Sequence, residues 1–241
     1  SRCEFAGLFV EARNGMIRLF YVLFLILVLN DTVSAQANGK IASSRFTIAR
    51  LKYGGGGDWY GNKNALNHLL RYLSDNTNIA VEKTETYVDP SDIRLFDYTF
   101  LYMAGHGNVK FSDDDVRQLR RFLTGGGFLW CDDDYGIDPY FRREMKRVFP
   151  ELDFTLIPFS HPIYSIGSRF PNGMPKIHEH DGGPPQGYGL FWKGRLICFY
   201  SKNTDISDGL EGPEVFPEDH PEKQAEALRF AANIVMYALS Y

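Results

Sequence analysis

Three short polar segments of the sequence carry the side chains that could do chemistry. His106 lies between two glycines after an apolar run, and three consecutive aspartates at 132–134 follow a second apolar run. His178 and His180 flank Glu179, so both imidazoles project from one side if the chain is extended there. Imidazoles and neighbouring carboxylates are groups that proteins use for acid–base catalysis and for cation binding. The candidate catalytic residues are His106, Asp132, Asp133, Asp134, His178 and His180.

Each of these groups also has a purely structural explanation. An imidazole between glycines can bond to its own loop, and aspartates that follow a strand can cap the next helix. The histidine pair differs from the helical HExxH motif of zinc proteases and can equally belong to a hydrogen-bonded loop. The sequence therefore leaves both a metal and any other cofactor undetermined.

A second group of residues could bind a ligand at the same place. Four consecutive glycines at 54–57 allow backbone conformations that other residues forbid, although a simple flexible turn has the same composition. The segment is neither a Walker loop nor a dinucleotide-binding fingerprint. The candidate binding residues are Gly56, Gly57, Asp58, Trp59, Tyr60, Asn108, Tyr135, Glu179, Asp181, Asn203 and Asp205.

Short apolar runs alternate with amphipathic segments from residue 46 onward, which is typical of βα units and a largely parallel sheet. The pattern predicts strands at 46–53, 81–86, 100–104, 128–131 and 154–157, and helices at 62–76, 113–123, 139–148 and 221–239. Two later runs, 188–192 and 195–200, are joined by Lys193 and Gly194 as a hairpin. In such a sheet the ligand crevice lies beyond the carboxyl ends of the strands, so we expect the polar segments to converge there.

Composition and charge narrow the classes of partner. Of the 241 residues, 44% are hydrophobic and 23% are charged, and the formal net charge is −4. A mildly acidic chain without a basic run lacks the electrostatic surface that nucleic acids and anionic lipids require. We therefore expect no nucleic-acid partner, and an unknown small molecule, a glycan or an envelope protein remains.

The N-terminal part has the pattern of an export signal. Met-Ile-Arg at 16–18 precedes 11 apolar residues at 19–29, and a polar segment then ends in Val-Ser-Ala at 33–35. We expect a signal peptide at 16–35, cleavage before Gln36 and a periplasmic or extracellular protein, with membrane attachment only if the leader is retained. The rest divides into an upstream or expression-related segment (1–15), a short N-terminal segment (36–45) and a single domain (46–241).

Five segments of the chain resemble one bacterial family. They are FTIARLKYGGGGDWY (46–60), LYMAGHGNVKFSDDDV (101–116), GGGFLWCDDDYG (125–136), FRREMKRVFP (141–150) and PKIHEHDGGPPQGYGLFWKGRLICFYS (175–201). These segments are similar to the uncharacterised family called domain of unknown function 4159, over about residues 46–240. The resemblance implies the fold of the class I glutamine amidotransferase-like, or trehalose-utilisation-like, group. The expected fold is a flavodoxin-like three-layer α/β sandwich with a mainly parallel sheet and a late hairpin, without a known activity.

The resemblance does not extend to glutaminase chemistry. The amidotransferases of that group place a cysteine on a Gly-x-Cys-x-Gly turn, whereas Cys131 stands in Leu-Trp-Cys-Asp-Asp. Because a nucleophile needs an exposed turn and an adjacent base, Cys131 is not expected to act as one. Cys131 and Cys198 both lie in apolar runs, which is typical of buried free thiols.

Two hypotheses about function follow from the sequence. The first is a hydrolase-like enzyme that acts on an envelope or carbohydrate substrate through the candidate catalytic residues. The second is a non-catalytic module of the cell envelope that binds a ligand or a partner on the same fold. Convergence of His106 with the aspartates and the histidine pair would favour the enzyme.

Overall fold

Short buried strands form a sheet through the middle of the protein. The computed structural model describes residues 45–180, 182–218 and 220–241. The strands are β1 (Ala49–Leu51), β2 (Thr86–Val88), β3 (Phe100–Met103), β4 (Phe128–Asp132), β5 (Thr155–Leu156), β6 (Gln186–Trp192) and β7 (Arg195–Lys202). They lie side by side in the order β2-β1-β3-β4-β7-β6-β5. The predicted leader at 16–35, the segments 1–15 and 36–44, and Asp181 lie outside the described residues.

The sheet is mainly parallel. β1 pairs in parallel with β2 and β3, and β4 pairs in parallel with β3 and β7. β6 is antiparallel to both β7 and β5. The hairpin of β6 and β7 turns at Lys193 and Gly194, which have φ values of 50° and 83°. Two consecutive positive φ angles are typical of the type I′ turn that suits the twist of a hairpin.

Helices cover both faces of the sheet. They are α1 (Ala65–Asn76), α2 (Asp113–Thr124), α3 (Asp138–Val148), α4 (Ile206–Glu211) and α5 (Pro221–Ser240). Trp130 of β4 packs in one core with residues of α1 and α5, whereas Leu129 packs in a second core with residues of α2 and α3. Because successive strand residues point to opposite faces, these cores lie on the two sides of the sheet. The protein is therefore a three-layer α/β sandwich of the flavodoxin-like type, as predicted.

Two elements differ from the prediction. The second strand begins at Thr86 instead of 81, and Val81 forms only an isolated bridge to Phe46. The reason lies at Glu85, whose backbone N–H donates to the side chain of Asn67 over 2.9 Å and not to a neighbouring strand. The second difference is α4, a helix of six residues that is too short to show a periodic pattern.

None of the described helices combines the length and the apolar character that crossing a membrane requires.

The strand order determines where a ligand site is expected. β2 and β3 lie on opposite sides of β1, so the chain changes direction between β1 and β3. The loops that leave β1 and β3 therefore diverge and form a crevice at the carboxyl edge. The order is that of the flavodoxin-like sheets in which this switch point holds the ligand.

Candidate functional site at the carboxyl edge of the sheet

The predicted polar segments lie at one edge of the sheet. Residues 54–58, 105–108, 132–134 and 203–205 follow β1, β3, β4 and β7, which are parallel neighbours. Residues 176–180 reach the same edge because they precede β6, which runs antiparallel to β7. The backbone N–H of Ile177 donates to the carbonyl of Thr204 over 2.9 Å and holds this segment beside the end of β7.

Asp58 and His106 form a pair across the switch point. The carboxylate of Asp58 accepts a short hydrogen bond from the backbone N–H of His106, and its second oxygen lies 3.0 Å from His106 Nδ1. Partial burial alone would raise the pKa of Asp58, but the hydrogen bonds from His106 outweigh it and hold the pKa below its ordinary value. The His106 side chain is 57% exposed, so its remaining ring nitrogen is open to a ligand.

Glycine allows the close approach of these two loops. A Cβ atom on Gly105 would stand 2.5 Å from the hydroxyl of Tyr53 and 2.8 Å from Asp58 Oδ1. The residue also has a φ of 128°, which side chains rarely permit. Gly57 packs equally tightly and donates its N–H to the carbonyl of Asn108 over 3.0 Å. The glycines thus bring Asp58 against His106.

A buried arginine holds the far end of the same loop. Arg50 of β1 forms a two-pronged ion pair with Glu85, with contacts of 2.7 and 3.2 Å. Its other N–H groups donate to the carbonyls of Gly61 over 2.7 Å and Asn62 over 2.9 Å. Both side chains of the ion pair are only 2% exposed. Because each loop carbonyl has a charged donor, the loop after β1 is fixed to the sheet.

Asp132 joins β4 to the segment that follows β7. It is fully buried, and its carboxylate accepts hydrogen bonds from the hydroxyls of Ser201, Thr204 and Ser207 and from the backbone N–H of Ser207. Burial raises the pKa of Asp132 to about 6, although these donors favour the charged form. With four donors, Asp132 is well suited to hold the site together as an ionised group.

Asp134 shares a hydroxyl with Asp132. Ser207 Oγ lies 2.6 Å from Asp132 Oδ2 and 2.7 Å from Asp134 Oδ1. A hydroxyl has one proton to donate, so one of the two acids must itself be protonated and donate to Ser207. Burial and the charge of Asp132 raise the pKa of Asp134 well above its ordinary value. Asp134 is therefore the neutral member of the pair, and its other oxygen accepts from Asn62 over 3.4 Å.

Asp133 turns toward the loop after β7. Its Oδ2 accepts from the backbone N–H of Asn203 over 3.3 Å, and its Oδ1 has no hydrogen-bond donor among the described residues. Burial raises the pKa of Asp133. The side chain of Asn203 in turn donates to the carbonyl of Gly183 over 2.7 Å and links β7 to the segment before β6.

His178, His180 and Asp205 come together beside these acids. One ligand atom from each lies within 4.8 Å of the other two, which is a group that could hold a metal ion. Asp205 is 1% exposed and has a left-handed backbone with a φ of 52°. Its Oδ2 makes a short contact with His180 Nε2 and lies 3.8 Å from His178 Nδ1. Tyr135 covers His180 with its ring, at a centroid distance of 4.8 Å.

The remaining candidate residues line the rim of this edge. Trp59 contacts the rings of Tyr60 and Tyr87 edge-on, and Tyr60 is 58% exposed. Asn108 donates to the carbonyl of Gly55 over 3.1 Å, which fixes one loop to the other. Gly56 has a φ of 92° and open space around it, and Glu179 pairs with Lys176 over 3.1 Å.

The structure divides the candidate catalytic residues into two groups. Among the described residues, no hydrogen bond or ion pair joins His106 to His178 or His180, which lie at the ends of different strands. The end of β3 is two strand positions from the end of β7, or roughly 10 Å at the usual spacing. The aspartates after β4 lie between the two groups.

Three functional contributors are not among the sequence candidates. Ser207 bridges two acids, Asn62 bonds to Asp134, and Asp208 Oδ2 lies 2.9 Å from His178 Nδ1. Ser207 and Asp208 belong to α4, whose presence the sequence pattern does not signal. The polar run from 201 to 208 after a predicted strand was the available indication.

Cys131 is unsuited to be a nucleophile in this structure. It lies inside β4, is fully buried and is a free thiol, as is Cys198. Burial raises the pKa of the Cys131 thiol well above its ordinary value, so the reactive thiolate is suppressed.

The fold and this edge define a flavodoxin-like α/β protein with an acid-rich site at the switch point of its sheet. Residues 47–239 match the family model of DUF4159, a domain of unknown function, and the chain belongs to that family. No curated protein matches the chain.

Proposed function

We propose that this protein is a hydrolase-like enzyme whose acid–base group is the Asp58–His106 pair. The observation that carries the proposal is the position of the pair, which spans the switch point between β1 and β3. A ligand in the crevice of such a sheet contacts the loops that leave these two strands. The pair therefore lies where a substrate would bind.

The pair has the arrangement of an oriented base. With its proton on Nδ1, His106 donates to Asp58 and leaves Nε2 as an acceptor. His106 Nε2 can then take a proton from water or a substrate hydroxyl and return it to the leaving group. The ionised carboxylate of Asp58 fixes the ring and stabilises the imidazolium that forms. Asp58 acts through His106 and is a positioning residue.

A hydroxyl-rich envelope glycan is the substrate class that we propose. The export pattern at 16–35 supports a substrate outside the cytoplasm, and the exposed aromatic rings of Tyr60 and Tyr135 flank the crevice. Aromatic rings pack against the apolar faces of ligands while their hydroxyl groups remain in water. The same amidotransferase-like fold group, in this proposal, supplies the scaffold without its cysteine chemistry.

Activity on defined glycans tests the proposal. The purified protein is incubated with peptidoglycan and with O- and N-acetylated oligosaccharides, and new reducing ends, acetate and amines are measured. General acid–base catalysis contributes about 10²–10⁴-fold, so His106→Ala is expected to lower kcat by that factor. His161→Asn is the matched control, because His161 packs against Tyr237 in the last turn of α5.

Two further readouts separate catalysis from a structural role. Added imidazole is expected to restore part of the activity of His106→Ala, and Asp58→Asn is expected to change the pH profile of kcat. Hydrolysis that is equal in wild type and His106→Ala would show that the pair is not the acid–base group.

A binding module is the second candidate, and the aromatic cluster of Trp59, Tyr60 and Tyr87 favours it. An exposed aromatic surface at a crevice rim is typical of ligand contact without catalysis. Glycan affinity that survives His106→Ala and is lost in Trp59→Ala, without any hydrolysis, would select this function. Equilibrium binding followed by tryptophan fluorescence measures that affinity.

A further inference from the structure

We infer that His178, His180 and Asp205 bind a divalent transition-metal ion, with Zn²⁺ as the fitting example. Their ligand atoms lie within 4.8 Å of one another. Nitrogen and oxygen ligands at about 2.0–2.1 Å around tetrahedral Zn²⁺ are roughly 3.3 Å apart. Small side-chain rotations therefore convert the observed group into a coordination sphere.

The chain holds both histidines in place from two sides. The N–H of Ile177 bonds to the carbonyl of Thr204, and the ammonium of Lys223 in α5 donates to the carbonyl of Ile177 over 2.9 Å. His178 and His180 follow at alternate positions, so both can face Asp205. Asp208 Oδ2 lies 2.9 Å from His178 Nδ1, and carboxylates commonly orient metal-binding imidazoles in this way.

Asp205 supplies an independent observation. It is 1% exposed, and neither of its oxygens receives a well-formed hydrogen bond from a described residue. Asp132 is as deeply buried but has four donors, so the lack of donors at Asp205 is not a general feature of this edge. A buried carboxylate without donors is costly, and a bound cation removes that cost.

The donor set indicates the class of ion. Two imidazoles and one carboxylate suit zinc and other divalent transition metals, whereas Mg²⁺ and Ca²⁺ prefer oxygen ligands alone. Three protein ligands leave a position for water, as in catalytic zinc sites. The inference deepens the proposed function, because a bound ion could activate the water for hydrolysis. It does not depend on that function, since metal binding can be measured without a substrate.

The test titrates metal into the full chain. Protein stripped with a chelator and dialysed is titrated with Zn²⁺ against a chromophoric chelator, and with Mg²⁺ and Ca²⁺ in parallel. Wild type is expected to bind one Zn²⁺, and Zn²⁺ is expected to raise its Tm. Because loss of an outer-shell partner alone costs about 10–100-fold in affinity, His180→Ala and Asp205→Asn are expected to weaken Zn²⁺ binding by at least about 100-fold.

Controls keep the outcome decisive. His161→Asn removes an imidazole outside the group and is expected to bind Zn²⁺ like wild type. His180 is 33% exposed, so its replacement is expected to leave the fold intact even if the buried Asp205 variant does not fold. His106→Ala is expected to retain Zn²⁺ binding while losing hydrolysis, which separates this inference from the proposed function. No binding by wild type, equal binding by His180→Ala, or preference for Mg²⁺ or Ca²⁺ would overturn the inference.

Discussion

Replacing either acid of the Asp132–Asp134 pair with asparagine is expected to change stability in opposite directions. Asp134 is neutral in the folded protein but ionises in the unfolded chain, where an aspartate pKa is about 3.9. Holding its proton at pH 7 therefore costs about 1.4 kcal/mol for each of roughly three pH units, or about 4 kcal/mol. Asp134→Asn avoids this cost, because an amide can donate to Ser207 and accept from Asn62 as the acid does. Stability is expected to rise by up to about 4 kcal/mol.

Asp132→Asn is expected to destabilise the protein. The carboxylate of Asp132 accepts four hydrogen bonds, two at each oxygen. An amide nitrogen would face two of those donors, and hydrogen bonds to charged groups are each worth about 1.5–3 kcal/mol. Relief of the buried charge offsets part of this loss, so we expect a net cost of about 3 kcal/mol. The exposed Asp153, replaced by asparagine, is the control and is expected to stay within about 0.5 kcal/mol of wild type.

Urea unfolding in the presence of a chelator measures these differences. A raised folded-state pKa means that the folded protein holds more protons than the unfolded chain, so the free energy of unfolding falls as pH rises. Between about pH 7 and 8, the advantage of Asp134→Asn over wild type is expected to grow by about 1.4 kcal/mol. Destabilisation by Asp134→Asn, or a difference that does not change with pH, would refute the assignment of the proton to Asp134.

Two further substitutions test the parts that position the crevice, each by urea unfolding. Glu85→Ala leaves the buried guanidinium of Arg50 unpaired and is expected to cost about 3–5 kcal/mol, and a loss near zero would show that the pair does not fix the loop. Gly105→Ala places a methyl group 2.5 Å from the hydroxyl of Tyr53, whereas Gly107→Ala, also at positive φ, meets no atom within 4 Å. Gly105→Ala is expected to be less stable than Gly107→Ala by about 1–3 kcal/mol, and equal losses would exclude a steric role for Gly105.

The sequence predicts the architecture because the relevant information is local. Alternating apolar runs and amphipathic segments indicate βα units, and the turn residues Lys193 and Gly194 indicate the hairpin. Polar residues that directly follow a strand must lie at a sheet edge whichever strands are neighbours. This is why segments such as 105–108 and 132–134 could be placed at the carboxyl edge without a structure.

The partners within the site could not be predicted, because they depend on strand order. Asp58 and His106 meet since β1 and β3 are neighbours, and no property of either loop encodes that adjacency. Asp205 meets His180 since β6 folds back along β7. The burial of Asp132 likewise depends on hydroxyl donors supplied from β7 and α4, and α4 is too short to be recognised by periodicity.

The charge balance of the carboxyl edge connects the proton and the metal. Four acids, Asp132, Asp133, Asp134 and Asp205, are buried together. Donors satisfy Asp132, and a proton neutralises Asp134, but Asp205 has neither. Burial, followed by the charges of Asp132, Asp208 and Asp133, raises the pKa of Asp205 to about 8, so in the absence of metal this carboxyl group competes for a second proton. A metal ion bound there would displace that proton, so Zn²⁺ binding is expected to release protons near neutral pH and to release fewer in Asp205→Asn.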